Sequence, residues 1–388
     1  MKQRLQDIWR HKRSRYMAVN VTVGALGGIV AGYVAYSIAV NFFDFDFLFA
    51  PYGSPDRSSI FQALDIEASD PRWLGMLKGA GNTLSVVGFA IVSASLLGLA
   101  IGVARLTAHP LMNTLGNLYV QTFRNLPLLL IMFFFAFAVF RSLPQIESRS
   151  GVVGVVYVSN RGLALPWLEA ASSLWTLWAL ALAAAVALAW FARRWRLQEE
   201  LRTGRSTHPN TWGVCVFLFV AAATYLALAA PVRVTLPEVT QSASGFYTYE
   251  GGNVLGLGYM SAFISLTLYF SAFIAEIVRG SIQAVPHGQV EAATSLGLSP
   301  YQRFTLIVLP QALRIMIPLL NNEYQNTNKD STLAHAIAYG EIVLISNRIV
   351  NNAGNLLQTY IFIFLVFVLT NLIISLVMNS INKSVRIR

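Results

Sequence analysis

The sequence predicts an all-α polytopic membrane protein with about eight transmembrane helices. Hydrophobic residues make up 55% of its 388 residues and charged residues 12%, which is about half the charged fraction of an ordinary soluble domain. The mean hydropathy is +0.55, and several charge-free stretches are long enough to cross about 30 Å of hydrocarbon. The alternating strand pattern of a membrane barrel is missing. These observations exclude a soluble enzyme, a disordered chain and a disulfide scaffold.

The predicted spans follow directly from the apolar stretches. The third span is short and follows Arg124, and the seventh is interrupted by Arg314. The eight spans are residues 17–43, 81–104, 125–140, 170–192, 211–232, 251–275, 304–322 and 351–382. The first has a basic flank like a signal peptide, but its apolar core is too long and its cleavage site too poor, so we expect a retained helix.

Charge predicts the orientation of these spans. Eight crossings place both termini on one side of the membrane. With the N-terminus in the cytoplasm, Lys and Arg are about twice as frequent on the cytoplasmic side, and acidic residues show the opposite bias. This distribution obeys the positive-inside rule. We therefore expect both termini to be cytoplasmic.

The chain divides into a leading part and a larger transmembrane part. Residues 1–78 hold a cytoplasmic N-terminus, the first span and an acidic external loop. Residues 79–386 form one transmembrane domain, with a two-helix insertion at about 142–257. Trp175, Trp178 and Trp190 lie near the ends of the first inserted helix, where tryptophan prefers the membrane interface.

Most catalytic signatures are missing from the sequence. It has no G-x-x-x-x-G-K-[ST] phosphate loop to hold ATP, and its five histidines are too scattered for a helical metal site. The single cysteine, Cys215, cannot form an internal disulfide. We expect no catalytic residue, no metal and no cofactor in this chain.

The most informative segment is the predicted cytoplasmic loop at residues 286–310. Pro286 suits the first turn of a helix, and Gly297 can adopt the left-handed conformation that ends one. Ser299 and Pro300 then start another helix. A helical connector that lies on the membrane surface explains these features as well as a functional element does.

The spacing within this loop resembles the EAA motif of ABC importer permeases. Glu291, Ala292 and Ala293 are followed by Gly297, and then by Ile307, Leu309 and Pro310, at the positions of that motif. The resemblance implies a type I ABC importer permease fold. It also implies that the loop is a coupling helix that docks on a separate ATP-hydrolysing subunit, which binds the ATP and Mg²⁺.

Four further segments resemble the His/Glu/Gln/Arg family of polar amino acid permeases. They are Gly81-Asn-Thr-Leu84, Phe123-Arg-Asn-Leu-Pro127, Phe273-Ile-Ala-Glu-Ile-Val-Arg-Gly280 and Lys329-Asp-Ser-Thr-Leu333. The second departs from the family pattern, since Asn125 and Leu126 replace Gly and Thr. The extra N-terminal helix and the insertion look most like the larger permease of general L-amino acid transporters.

The resemblance implies the partners of the chain. They are a second homologous permease, two copies of an ABC ATPase, a periplasmic amino-acid-binding protein and the lipid bilayer, without nucleic acid. It also implies a bacterial inner membrane. The contacts with the ATPase are assigned by the resemblance to Gln289, Glu291, Ala292, Ala293, Gly297 and Pro310.

Candidate substrate contacts follow the seventh span, where donors and acceptors for a zwitterion are dense. The residues are Asn322, Asn326, Lys329, Asp330, Ser331 and Thr332. Alternatively, Asp330 and Ser331 cap the next short helix, and Lys329 pairs with a neighbour.

Four charged residues, Arg124, Glu276, Arg279 and Arg314, are predicted to have structural or charge-balancing roles. Glu276 and Arg279 share a helical face and can form an ion pair at the cytoplasmic interface. Arg314 lies inside a span, where charge is costly and needs a partner.

An ion-gradient-driven secondary transporter is the alternative function. Such a carrier needs broken helices at corresponding positions of two halves, and the sequence has no second copy of the Glu291 loop.

Overall fold

The computed structural model describes residues 23–30, 32–33, 36, 45–61, 64–148, 151–152, 155–241 and 245–386. The predicted cytoplasmic N-terminus and much of the first span lie outside these residues, although residues 23–30 are helical. The chain forms two compact units, Met1–Ala136 with Gly258–Arg388, and Phe137–Leu257. The predicted domain bounds at 79–386 and 142–257 stay predictions.

The first unit is helical. Its helices are α1 (Arg72–Ala104), α2 (Pro110–Asn125), α3 (Leu128–Phe133), α6 (Leu257–Gln283), α7 (His287–Ser295), α8 (Pro300–Arg303), α9 (Leu309–Asp330), α10 (Ile342–Ala353) and α11 (Leu356–Arg386). Three continue with altered winding: α3 as a π-helix to Phe140, α8 as a π-helix over Phe304–Val308, and α9 as a 3₁₀ helix over Ser331–Ile337.

The second unit combines two long helices with short strands. Its elements are β1 (Gly151–Val152), β2 (Val156–Ser159), β3 (Gly162–Leu165), β4 (Trp167–Ala170), α4 (Trp175–Thr203), α5 (Pro209–Ala227), β5 (Val232–Thr235), β6 (Glu238–Gln241), β7 (Tyr247–Glu250) and β8 (Asn253–Gly256). The strands form a sheet in the order β1-β2-β3-β8 and the two ladders β4-β5 and β6-β7, all antiparallel. The sequence pattern predicts the two helices but not these strands.

The described residues contain six helices long and apolar enough to cross a membrane, or seven if the bent pair α2–α3 counts as one span. The predicted helical membrane fold is therefore confirmed. Several predicted bounds shift: α1 begins at Arg72 rather than residue 81, and α4 extends to Thr203. The spans predicted at 211–232 and 251–275 are shortened at one end, because Val232–Thr235 and Asn253–Gly256 are strands.

Two glycines allow α1 and α6 to pack closely. A Cβ at Gly98 would lie 2.7 Å from Ile274 Cβ, and one at Gly102 would lie 2.8 Å from the carbonyl oxygen of Ala275. Small residues four positions apart let helix backbones approach within a membrane. This contact positions α6, which carries the charged residues of the candidate site.

The loop before α1 packs against α10. Phe47, Tyr52 and Ile66 form a buried cluster with Ile345 and Ile349. An ion pair joins Arg348 Nη1 to Asp56 Oδ2 at 2.7 Å. The loop and α10 are therefore held together by both apolar burial and charge.

Asp65 in this loop provides a test of the packing. Its Oδ1 atom is buried without a hydrogen-bond partner, and burial raises the pKa of Asp65 to about 6. Ionisation of Asp65 therefore lowers the free energy of unfolding. This loss is absent below the unfolded pKa near 4 and complete above pH 6. We expect Asp65→Asn to raise stability at pH 8 by about 1 kcal/mol, after discounting for partial exposure, and to leave it unchanged at pH 4.

Thermal unfolding of the purified protein at the two pH values measures this effect. The exposed neighbour Glu67, changed to Gln, is the control and should show no comparable gain. A loss of stability in Asp65→Asn at pH 8 would contradict the burial argument.

Candidate functional site

The α7 helix ends in a defined turn at Gly297. The amide of Leu298 donates to the carbonyl of Ala293 at 3.2 Å, and the amide of Gly297 donates to the carbonyl of Thr294 at 2.9 Å. This pair of hydrogen bonds is a Schellman motif. Gly297 has φ = +75°, so the left-handed conformation expected there is confirmed.

The next helix, α8, is capped against the same turn. The Gln302 amide donates to Ser299 Oγ at 3.3 Å, and the Ser299 amide donates to Gln302 Oε1 at 2.9 Å, which makes a capping box. Arg303 Nη1 donates to Thr294 Oγ1 at 2.6 Å and ties α8 to α7. We call residues 287–303 the α7–α8 hairpin. Its hydrogen bonds make it a preformed surface feature.

The hairpin exposes most of the predicted coupling residues. Gln289, Glu291, Ala292 and Gly297 are exposed, whereas Ala293 is buried. Pro310 is half-buried in the first turn of α9. Ala293 therefore packs the hairpin together, and the four exposed residues form its outer face. Contact of these residues with an ATPase stays a prediction.

Two large apolar side chains on the hairpin were not singled out from sequence. Leu296 is 80% exposed and Tyr301 is 77% exposed. Exposed apolar groups beside a polar rim mark interaction surfaces, and aromatic residues are frequent hot spots. The sequence carries only a weak signal for them, because Val290 and Leu298 are apolar in the same loop.

An ion cluster joins three helices near the hairpin. Arg279 pairs with Glu276 within α6. Arg105, at the end of α1, pairs through Nη1 with Glu276 Oε2 at 2.6 Å and donates through Nε to Asn117 Oδ1 of α2 at 2.8 Å. Gly116 makes room, because a Cβ there would lie 2.6 Å from Arg105 Cγ. The sequence predicted no role for Arg105, although it directly follows a span.

Arg105 should stabilise this cluster more than Arg279 does. The Arg105 side chain is 8% exposed and that of Arg279 is 27% exposed. We expect Arg105→Gln to cost about 2 kcal/mol, since it removes the most buried charge of the cluster together with its bonds to Glu276 and Asn117. Arg279→Gln should cost less than about 1 kcal/mol. Thermal unfolding of both variants measures the difference, and equal losses would contradict the assigned geometry.

A cavity opens beside this cluster in the first unit. It has a volume of about 380 Å³ and is lined by Arg124, Phe273, Ser281 and Glu323, among others. Arg124 lies with its guanidinium carbon 5.2 Å from the centre of the Phe273 ring. Among the residues that the structure describes, neither Arg124 nor Glu323 forms an ion pair. The cavity thus presents a cation and an anion outside the described ion pairs, although Glu323 is also hydrogen-bonded to the side chain of Asn326.

A second cavity of about 410 Å³ continues from the first and shares Arg124, Phe273 and Glu276 with it. It is lined mainly by polar groups, including Gln121 and Asn125. Arg124 and Asn125 belong to the segment that departs from the family pattern. Together the cavities form a recess between α2, α6 and α9, mainly apolar in the first cavity and mainly polar in the second.

The predicted substrate residues lie along α9 and the turn after it. Asn326 and Lys329 are exposed, and Asp330 is half-buried. Ser331 Oγ donates to the Asn328 carbonyl at 2.6 Å, and Thr332 Oγ1 donates to the Lys329 carbonyl at 2.8 Å. Both hydroxyls therefore bond to the preceding helix. Asp330 makes no side-chain bond that caps the following 3₁₀ helix.

Asn322 lines a separate cavity of about 310 Å³ between α9 and α11, together with Asn321 and Asn379. Arg314 is exposed and forms no hydrogen bond or ion pair with any described residue. The structure therefore does not bring all the predicted residues into one site. A substrate role for the α9 residues and a partner for Arg314 stay predictions.

Known proteins resemble this chain over most of its length. A family model described as "Binding-protein-dependent transport system inner membrane component" matches residues 209–387. The general L-amino acid transport system permease protein AapQ of Rhizobium johnstonii is 34% identical over 83% of this chain and 80% of that protein. The putative amino-acid ABC transporter permease protein YhdX of Escherichia coli is 35% identical over 84% and 81%. The chain belongs to the amino-acid ABC transporter permeases. Its helical fold is the type I permease fold expected from the sequence.

The permease also resembles two proteins that share one transport system name. The glutamate/glutamine/aspartate/asparagine transport system permease proteins BztB and BztC of Rhodobacter capsulatus are 30% and 39% identical to it, over 74% and 28% of this chain and 73% and 26% of those proteins. Two permease proteins are thus named for this one transport system of Rhodobacter capsulatus. The permease is a multi-pass membrane protein and a transport subunit.

Proposed function

We propose that this permease carries L-amino acids into the cytoplasm by alternating access, driven by ATP hydrolysis on a separate subunit. The observation that carries the proposal is the α7–α8 hairpin, which is preformed and exposed and follows α6, a helix that lines the recess. A chain without a phosphate loop needs such a surface to couple its conformational change to ATP hydrolysis on another subunit. Binding of ATP must favour one of two permease conformations for transport to proceed.

The hairpin supplies the proposed ATPase contact. Gln289, Glu291, Ala292 and Gly297 form its outer face, Ala293 packs it together, and Pro310 is proposed as a further contact in the first turn of α9. Leu296 and Tyr301 add apolar area that can enter a groove on the partner. The ion cluster around Glu276 links the nearby ends of α1, α2 and α6. Motion of the hairpin can therefore reach the recess through α6.

The recess is the proposed substrate site. A zwitterionic amino acid needs a cation for its carboxylate and an anion for its ammonium group, because both charges lose water on binding. Arg124 and Glu323 supply these charges across one cavity. Lys329, Asp330, Asn322 and Asn326 are proposed as further polar contacts along α9. Ser331 and Thr332 are weaker candidates, since their hydroxyls already donate to helix carbonyls.

The proposed assembly contains this permease, a second homologous permease and two copies of an ABC ATPase that bind ATP and Mg²⁺. A periplasmic amino-acid-binding protein delivers the substrate. The permease lies in a bacterial inner membrane with both termini in the cytoplasm. This orientation places the basic ends of its spans inside, as the positive-inside rule requires.

Uptake of radiolabelled L-amino acids by cells that express the system tests the proposal. We expect uptake to stop when arsenate depletes ATP and to continue when an ionophore collapses the proton gradient. The opposite pattern, with uptake lost to the ionophore alone, would favour a secondary transporter.

A further inference from the structure

The two helices of the second unit form a hairpin with almost no protein around it. In the most apolar windows of α4 and α5, 6% of the residues are buried. Large side chains such as Leu180, Phe219 and Leu226 are 68%, 74% and 76% exposed. An apolar helix pair with this exposure has lipid as its surroundings. We call Trp175–Ala227 the inserted hairpin.

One end of the inserted hairpin is strongly basic. Arg193, Arg194, Arg196, Arg202 and Arg205 lie on the last turns of α4 and the turn after it. We call these five residues the arginine collar. The two acids nearby are engaged, because Glu199 pairs with Arg196 at 3.1 Å and Glu200 accepts from Thr207 Oγ1 at 3.2 Å. The opposite end carries Glu169 and Arg233 directly across the β4–β5 ladder, so its charges balance.

Tryptophans lie among the collar arginines. The Arg196 guanidinium lies 4.3 Å from the centre of the Trp212 ring and 5.2 Å from that of Trp195, and Arg194 lies 5.2 Å from the Trp190 ring. Tryptophan prefers the level of lipid headgroups. The cation–π contacts therefore hold these guanidinium groups at that level.

The collar keeps donors free for a ligand. Arg193 uses Nε to bond Asn210 Oδ1 at 2.8 Å, which leaves its two terminal nitrogens for other acceptors. The side chains of Arg202 and Arg205 are exposed and form no hydrogen bond or ion pair with the described residues. Arg202 lies about 12 Å beyond Arg194 along the helix axis, where a leaflet's surface potential is already weakened by screening.

We propose that the arginine collar binds the phosphate groups of anionic phospholipids in one leaflet. Guanidinium groups suit phosphate oxygens, and each arginine near an anionic surface adds to the attraction. An acidic protein segment has the same charge, but the tryptophans and the exposed apolar helices favour a lipid. This proposal does not depend on the transported substrate or on the ATPase.

Native mass spectrometry of the full-length permease tests this proposal. The protein is exchanged into nanodiscs of phosphatidylcholine and phosphatidylglycerol in equal amounts, and the retained lipids are counted. We expect phosphatidylglycerol to be preferred by about tenfold or more. Arg193→Gln with Arg194→Gln should remove this preference. Arg161→Gln with Arg233→Gln removes the same charge outside the collar and should keep it.

Equal retention of both lipids by the native protein, or loss of preference in the control variant, would overturn the proposal. Arg193→Lys with Arg194→Lys keeps the charge and should keep the preference, which covers the case in which the Gln variant fails to fold. Displacement of the bound lipid by excess inorganic phosphate would indicate a free-phosphate site. Displacement by an acidic peptide would indicate a protein partner.

Discussion

Replacing Gly297 by Asp is expected to abolish ATP-driven uptake while the permease still inserts into the membrane. Gly297 has φ = +75° and open space around its Cα atom, so the new side chain meets no steric barrier. The backbone cost is about 1–2 kcal/mol for a non-glycine residue in this conformation, and Asp is among the residues that tolerate it. The larger effect is a carboxylate placed beside Leu296 on the proposed docking face. We expect uptake to fall at least about thirtyfold, as for loss of an interface hot spot.

Two variants separate charge from backbone strain. Gly297→Asn adds a neutral side chain of similar size and should retain much more uptake than Gly297→Asp. Gly354→Asp matches the change at the end of α10, where φ is +73° and nothing lies within 4 Å of the added Cβ. It should leave uptake nearly unchanged. Normal uptake in Gly297→Asp would refute the coupling role of the hairpin.

Neutralising Arg124 or Glu323 is expected to cause a comparably large loss. Each variant, Arg124→Gln or Glu323→Gln, leaves one charge of the bound amino acid unpaired inside the recess. Loss of one partner of a desolvated ion pair costs about 2–5 kcal/mol, which corresponds to roughly thirty- to several-thousandfold weaker binding. The rate of uptake of labelled L-amino acids is measured over a range of concentrations. The effect is a lower initial slope of uptake rate against concentration.

Arg314→Gln is the matched control for this prediction. Arg314 is an exposed arginine of α9 that does not line the recess, so its neutralisation should affect uptake far less. In the double variant Arg124→Gln with Glu323→Gln, the loss should exceed either single loss if each residue binds a different substrate charge. Unchanged uptake in both single variants would place the substrate elsewhere, with the α9 residues near Lys329 as the next candidates.

Local chemistry explains which parts of the site could be predicted from sequence. Pro286, Gly297 and Ser299 each act within a few residues of their own position, so the bounds of the α7–α8 hairpin follow from capping rules. The exposed outer face follows from the same pattern. The membrane spans are predictable for a similar reason, since hydrocarbon thickness fixes their minimum length.

Contacts between distant residues could not be predicted in this way. Arg105 reaches Glu276 across 171 positions of sequence, and only the packing of α1 on α6 brings them together. Arg124 and Glu323 likewise lie on different helices and meet only at one cavity of the folded chain, and Glu323 is helical because α9 continues beyond residue 322. The strands of the second unit have at most four residues, which is too short for a periodic signal.

Cross-linking from the hairpin tests the central claim most directly. Cys215 is the single cysteine, so Cys215→Ser with Gln289→Cys leaves one thiol on the α7–α8 hairpin. A thiol-reactive cross-linker applied to native membranes should then capture a protein with a phosphate loop, and Gln241→Cys in the same background should not capture it. Recovery of the permease alone or only with copies of itself from the Gln289→Cys membranes would contradict ATP-driven transport through this hairpin.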